Sequence, residues 1–331
     1  MDLQTTYLGL DLKHPIVASS SPLTGNADGL RSLEKAGAAA VVLPSLFEEQ
    51  VEHDAFAREH ELHGTGGFAA EAHEGFIPLY DDYNSGVDDY VKTLQMAKQE
   101  LSIPVIASVN GTSAGGWTEY ARTLQDEGAD AIELNVYYVA ADIDATAADV
   151  EKRYVDLVRD VRDAIDVPLA VKIGPYFSSP ANMARQLVDA GADALVLFNR
   201  FYQPDINLED LTVVPNIVLS SPGDMRLALR WIAILRGRID ANLAATTGVH
   251  DADGVVKLML AGADVAMMTS AFLQHGPEHL TSVLDGVRSW FEERGYDSLE
   301  QARGSLSQAS VPDPSAFERA NYMMALVSYA P

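Results

Sequence analysis

One phrase returns four times along the chain: the end of a helix-like segment, then Gly-Ala, then a short apolar run. It reads KAGAAAVVLP at 35–44, DEGADAIELN at 126–135, DAGADALVLF at 189–198 and LAGADVAMMT at 260–269. Glycine at a helix end can take the left-handed conformation that stops the helix. The apolar run after it lacks polar alternation, as a strand buried on both faces does. Four further apolar runs alternate with these: HPIVASS (14–20), IPVIASV (103–109), VPLAVKI (167–173) and IDANLAAT (239–246). Three of them carry proline at or near the strand start, where its missing N–H costs least. Together they make eight strands. Helical patterns at 27–36, 87–100, 117–127, 147–164, 180–190, 224–237 and 251–261 separate them. An eightfold β-α repeat predicts an α/β fold in which a parallel sheet closes into a (β/α)8 TIM barrel. The alternative, an open doubly wound sheet, has fewer strands and a Gly-rich dinucleotide fingerprint; no G-x-G-x-x-G follows any strand here.

The spacing predicts one domain over residues 1–331, with long insertions after strands 2 and 6. Residues 46–102 hold GTGG (64–67) and the acidic run YDDYNSGVDDY; residues 199–223 read as a loop carrying a small hairpin. Both leave the C-terminal end of a strand, the face on which such barrels place their sites, so both are candidate walls or lids. The tail 277–331 is helical in pattern. It reads as an extension packed outside the barrel or against another subunit, which makes a homodimer one expectation.

Composition narrows the chemistry. There is no cysteine, which removes disulfides, thiolate nucleophiles, zinc–thiolate sites and cysteine-ligated clusters. The formal charge of −25 disfavours nucleic acid and anionic lipid as partners. The Asp- and Arg-rich balance fits high-salt adaptation or a bias of base composition. No apolar run approaches the ~20 residues of a membrane helix, and the start MDLQTTYLGLDLKHP does not read as a signal peptide. The expectation is a cytoplasmic protein acting on a small molecule. No H-x-x-x-H or H-E-x-x-H pattern falls on a helix and no G-x-S-x-G elbow is present, so no metal is expected.

The strand ends place Ser19 and Ser20, Pro44 and Ser45, Asn110, Asn135, Lys172, Asn199, Thr247 and Gly248, and Thr269 and Ser270 at the barrel mouth. Polar side chains there are costly unless bonded, so a ligand is a natural partner. TTGVH and MTSAF each lead into a helix with small residues, a setting for phosphate. Thr247 and Ser270 read singly as helix caps and together as anion ligands. Lys172 follows four apolar strand residues. It can stabilise negative charge on a cofactor, form a Schiff base, or simply pair with Glu133. Asn135 and Asn199 occupy the same repeat position two strands apart. An amide both donates and accepts, which suits a ring edge; a turn-forming role is the alternative.

These segments resemble the dihydroorotate dehydrogenase family of FMN-binding barrels over about residues 7–280. HPIVASS resembles that family's first strand with its flavin-contacting turn, ADAIELN its fourth strand, and VPLAVKIGPYF the strand bearing its flavin-contacting lysine. LALRWIAILRGRID, TTGVHDADGVVKLMLAGADV and MTSAF resemble its closing helix, phosphate loop and last strand. The resemblance implies FMN, with Ala18, Ser19, Ser20, Ser45, Asn110, Asn135, Lys172 and Ser221 around it and its phosphate held by Thr247, Gly248, Thr269 and Ser270. It also implies that Lys172 stabilises charge on reduced flavin. The departures lie on the substrate side. Pro44 stands where the family has lysine. NVYYVAA replaces N-x-S-[CS]-P-N, which puts Tyr138 at the position of the base and Ala140 at that of the second asparagine. Tyrosine, with a usual pKa near 10, is a poor base but a serviceable hydrogen-bond donor. Asn199 matches a substrate-site asparagine, and its neighbour Arg200 can hold a carboxylate. Catalytic candidates are therefore Lys172, Tyr138, Asn135 and Asn199.

Three readings remain open at this stage. One is an FMN oxidoreductase moving hydride to or from a small ring substrate, not necessarily dihydroorotate. The second is a non-redox lyase or aldolase using Lys172. The third is a flavin-binding paralogue without catalysis.

Overall fold

The computed structural model describes residues 1–47, 86–111, 117–200, 203–319 and 321–328. The GTGG run and all but the last part of the acidic run lie outside the described residues. Eight parallel strands close on themselves: β1 (Ile16–Ala18), β2 (Val41–Phe47), β3 (Val105–Asn110), β4 (Ala131–Asn135), β5 (Leu169–Ile173), β6 (Ala194–Leu197), β7 (Asn242–Ala245) and β8 (Val265–Met268). The first seven helices are α1 (Ala27–Ala36), α2 (Val87–Glu100), α3 (Trp117–Asp126), α4 (Ala147–Ala164), α5 (Pro180–Asp189), α6 (Met225–Leu235) and α7 (Ala252–Ala261). Four more come after β8 among the described residues: α8 (Ser270–His275), α9 (His279–Glu293), α10 (Leu299–Ala302) and α11 (Asn321–Ser328). Helix α9 packs against α7 and α1 and closes the outer ring. The chain is thus a (β/α)8 barrel. No helix among the described residues is long and apolar enough to cross a membrane.

Local chemistry sets the helix ends. Asn26 accepts from the Gly29 N–H and starts α1; Gly37, at φ +109°, ends it. Asp251 accepts from the Gly254 N–H and starts α7; Gly262, at φ +116°, ends that helix. Glycine is required at both C-terminal positions because a side chain there is strained.

Inward and outward side chains alternate along every strand and form two cores. Leu43, Leu46, Ile132, Leu134, Val171 and Leu195 face the helices. Val17, Val42, Ile106, Ala131, Ala170, Ala194 and Ala244 face inward and are small enough to leave room in the barrel. An antiparallel ribbon, Thr5–Tyr7 with Leu10–Leu12, fills that room with Tyr7, Leu8 and Leu12. The Leu8 N–H donates to Asn242 Oδ1 at 2.9 Å. Asn242 begins β7, so the ribbon plugs the N-terminal end and leaves the C-terminal mouth open.

Candidate active site

Strand parity brings the polar residues together. Along β4, Ala131, Glu133 and Asn135 point inward, and along β5 Ala170 and Lys172 do. In β2 the register slips by one residue between Val42 and Ser45, a bulge that contains Pro44. Proline has no N–H for the ladder, and the extra residue re-aims the side chains after it. Ser45 consequently faces the interior, 2.8 Å from Ser108 Oγ. The Ser108 N–H donates to the Tyr90 hydroxyl.

A cavity of about 750 Å³ opens at the mouth. Ser20, Ser45, Phe47, Asn110, Asn135, Tyr137, Lys172, Asn199 and Arg200 line it, together with residues 203–205 and 216–218. The latter flank a second antiparallel ribbon, Asp205–Asn207 with Thr212–Val214. The strand-6 segment therefore forms one wall. Asn199 Nδ2 donates to Asn135 Oδ1 at 2.6 Å, so the two repeat-related asparagines meet. Arg200 donates to the Val218 carbonyl, which ties the guanidinium to that wall. Asp205 also lines the mouth; a hydrogen bond from Asn216 holds its carboxyl below the usual range, which makes it a poor base.

Lys172 and Glu133 form a buried pair. Nζ lies 3.4 Å from Oε1, with the side chains 9% and 0% exposed, and Glu133 Oε2 has no partner. All three sequence readings of Lys172 required a buried amine. The pairing engages Nζ with a carboxylate rather than leaving it free to attack a carbonyl.

A smaller cavity of about 230 Å³ adjoins the first and shares Ser20, Lys172, Asn199 and Arg200 with it. Ser19, Ser220, Thr246, Thr247, Gly248, Thr269 and Ser270, with the apolar Val249 and Met267, complete its lining. Thr247 and Gly248 have φ of +72° and +81°. A β-branched residue in that region is strained and marks a shaped loop. Thr247 Oγ1 donates to the Phe198 carbonyl and Thr269 Oγ1 to that of Ser19, so both lend backbone rather than hydroxyl to the cradle. The α7 N-terminus is already capped by the Asp251 carboxylate. The cradle is therefore built by the turn after β1, Ser220, the loop after β7 and the Thr269–Ser270 start of α8, and no residue of α7 lines it.

Three expected residues fall elsewhere. Tyr138 does not line the mouth: it packs against the outer core with the Arg153 guanidinium 4.4 Å from its ring centre. Its backbone bonds Tyr154, whose phenol burial pushes up to about 12. Tyr137 lines the cavity instead, because period-2 alternation continues past Asn135. Ser221 is exposed and bonds Asp224, while its neighbour Ser220 is buried in the cradle. Ala18 is buried in β1, in register with Met268, and supports the turn at Ser19 and Ser20 without lining either cavity.

The molecule is thus a (β/α)8 barrel whose mouth joins a roomy amide-rich cavity to a small hydroxyl- and glycine-lined cradle. The family model described as dihydroorotate dehydrogenase matches residues 2–291, and the chain belongs to that family. The dihydroorotate dehydrogenase B (NAD(+)) catalytic subunit of Methanothermobacter thermautotrophicus is 26% identical over 313 residues, 91% of this chain and 97% of that protein. The protein of the same name from Thermoplasma acidophilum is 24% identical over 315 residues, 92% of this chain and 98% of its own length.

Proposed function

We propose that this chain is an FMN-dependent oxidoreductase acting on a CH–CH bond of a small ring substrate. One observation carries the reading: the large and small cavities lie side by side at the barrel mouth and share Lys172, Asn199, Arg200 and Ser20 as lining. A long ligand with a flat end and an anionic end fits that shape. The cradle's chemistry fits a phosphate, with hydroxyls and glycine backbone at the anionic end and no carboxylate among its lining residues.

Ser19, Ser20, Thr246, Thr247, Gly248, Thr269 and Ser270 would hold the phosphate. Ser45, Asn110, Asn135 and Lys172 would face the ring. Bound there, FMN supplies a two-electron acceptor for hydride. The ammonium of Lys172 favours negative charge at the ring edge, fixed in place before reaction by its pairing with Glu133. Asn199 orients the substrate, and Arg200, anchored to Val218, offers its remaining donors to a carboxylate. The strand-6 wall and the plugged barrel floor limit water. Tyr137, not Tyr138, is the tyrosine placed to hydrogen-bond substrate.

The names of the relatives make dihydroorotate the first substrate to test. We expect it to react slowly, because Pro44 brings no amine to the mouth and Ala140 no amide. Anaerobic mixing of FMN-loaded protein with dihydroorotate and other dihydropyrimidine carboxylates, followed at the flavin band, decides the activity. Bleaching by at least one donor supports the reading; flavin that none of them bleaches refutes it. We further place the protein in the cytoplasm as a homodimer. Leu208, Leu211 and Ile217 on the strand-6 segment, each more than 80% exposed, offer apolar area for a second copy.

A further inference from the structure

Behind the small cradle lies a histidine to which neither the fold nor the proposed chemistry gives a role. His250 is buried, and its Nε2 lies 3.2 Å from Ser220 Oγ. Ser220 Oγ also accepts the Gly248 N–H at 3.2 Å and donates to Ser270 Oγ at 2.9 Å. The Ser220 backbone N–H donates to Ser270 Oγ at 3.1 Å. Ser270 is the member of this chain that lines the cradle together with Gly248 and Ser220.

A hydroxyl has one proton and two lone pairs, so the directions in this chain can be counted. Gly248 takes one lone pair of Ser220. If His250 carries its proton on Nε2, it donates to the other lone pair, and the Ser220 proton must go to Ser270. Ser270 Oγ then accepts twice from Ser220, and its own proton is left to point into the cradle. If Nε2 is bare, Ser220 turns its proton to His250, and the Ser220–Ser270 bond survives only by reversing, with Ser270 donating to Ser220. Ser270 then turns its one remaining lone pair toward the cradle, the other being held by the Ser220 N–H. The first arrangement binds an anion and the second repels it.

We infer that His250 is a positioning residue for the anion: through Ser220 it sets whether Ser270 presents a proton or a lone pair to the cradle. The inference rests on the cradle being the phosphate subsite of the proposed function, but it needs no flavin to be tested. Burial, the largest influence, pushes His250 below the ordinary histidine value. Near neutral pH the ring therefore holds one proton, and the ligand can select its tautomer. The groups that face the ring are Asp251 beside it, Asp224 ahead of α6 and His275 at the end of α8. From α9, His279 Nε2 lies 2.8 Å from the His250 carbonyl oxygen. A hydrogen bond with the Ser220 backbone, then the two carboxylates, favour a protonated ring, and His275 opposes it.

The test uses the full-length apoprotein labelled with 15N-histidine and inorganic sulfate, whose charge does not change between about pH 5 and 8. The chain has eight histidines, and His250→Gln identifies the signals of interest. At saturating sulfate, His250 should shift to the Nε2–H tautomer, and its titration should move to higher pH. In Ser220→Ala, sulfate should bind about tenfold more weakly, as expected for one lost hydrogen bond, and His250 should no longer respond to it. If that variant does not fold, Ser270→Ala makes the same comparison with the Ser220–His250 bond intact. Unchanged His250 nitrogens at saturation, an equal response in the cut chain, or no sulfate binding would each overturn the inference. Protein that binds FMN with an unresponsive His250 overturns it and leaves the flavin reading standing. A sulfate-coupled His250 in protein that takes up no flavin does the reverse.

Discussion

Replacing Lys172 with methionine keeps the length of the side chain and removes its charge. Its partner Glu133 is fully buried, with Oε1 3.4 Å from the ammonium and Oε2 without any partner. Lys172→Met therefore strands a carboxylate inside the barrel with neither oxygen compensated. Breaking a buried pair from one side typically costs about 3–5 kcal/mol, against a net stability of about 5–15 kcal/mol for a domain. The variant should fold but unfold at clearly lower urea. Adding Glu133→Gln removes the stranded charge, and the double variant should regain about 2 kcal/mol or more of the loss. Urea titrations followed by far-UV circular dichroism, at constant slope, give all four corners of the cycle. Lys172→Met within about 1 kcal/mol of wild type, or a double variant no more stable than the single, would refute the reasoning. The cycle also separates stability from chemistry. Flavin reduction should remain slowed by about a hundredfold in the double variant, because the missing charge is not restored.

Three further outcomes are expected from the geometry. A Cβ on Gly248 would lie 2.3 Å from the Met225 backbone nitrogen and hold φ +81°, so Gly248→Ala should cost about 2–4 kcal/mol. It collides with the start of α6 rather than filling the cradle, and an unchanged unfolding midpoint would contradict this. Tyr138→Phe should leave flavin reduction and substrate affinity within about twofold, because the ring packs under Arg153 outside the cavity, whereas Tyr137→Phe should weaken substrate binding; stopped-flow kinetics compare the two. Burial lowers His14 to about 4, and its ring is satisfied when neutral, with Nε2 2.6 Å from the Gly37 carbonyl oxygen and Nδ1 accepting from the Ile16 N–H. The unfolded chain binds this proton more readily, so the His14 contribution is present above about pH 6.5 and is lost as pH falls toward 4, by about 2 kcal/mol between pH 7 and 5. Urea midpoints at the two pH values measure it, and a His14→Gln protein with the same dependence would show that other groups carry it.

The barrel could be read from the chain because its signals are local and repeated. A Gly-Ala step after each of four helices, followed by a strand without alternation, leaves little freedom in topology; six of the eight observed strands fall inside the predicted runs, while β2 continues past its run to Phe47 and β3 to Asn110. The site was legible to the accuracy of strand parity. Asn135, Lys172 and Asn199 meet as their positions at strand ends imply. Two readings were off by one residue, and each had a signal in the sequence. Parity counted from Asn135 points Tyr137 inward and Tyr138 outward. Ser221-Pro-Gly-Asp224 has the S-x-x-D form of a capping box, which commits Ser221 to Asp224 and leaves Ser220 for the cradle. Other features depended on distant packing. The bulge at Pro44 that turns Ser45 inward, the ribbon that plugs the floor with Tyr7, and the reach of His250 to Ser220 join residues far apart in the chain, and no local pattern reports them.

The most direct test of the central claim is the cofactor itself. Protein purified without added flavin should be yellow, and acid release should yield FMN at about one per chain, identified by chromatography and mass. Colourless protein that gains no flavin absorbance or fluorescence quenching on titration with FMN would contradict the account.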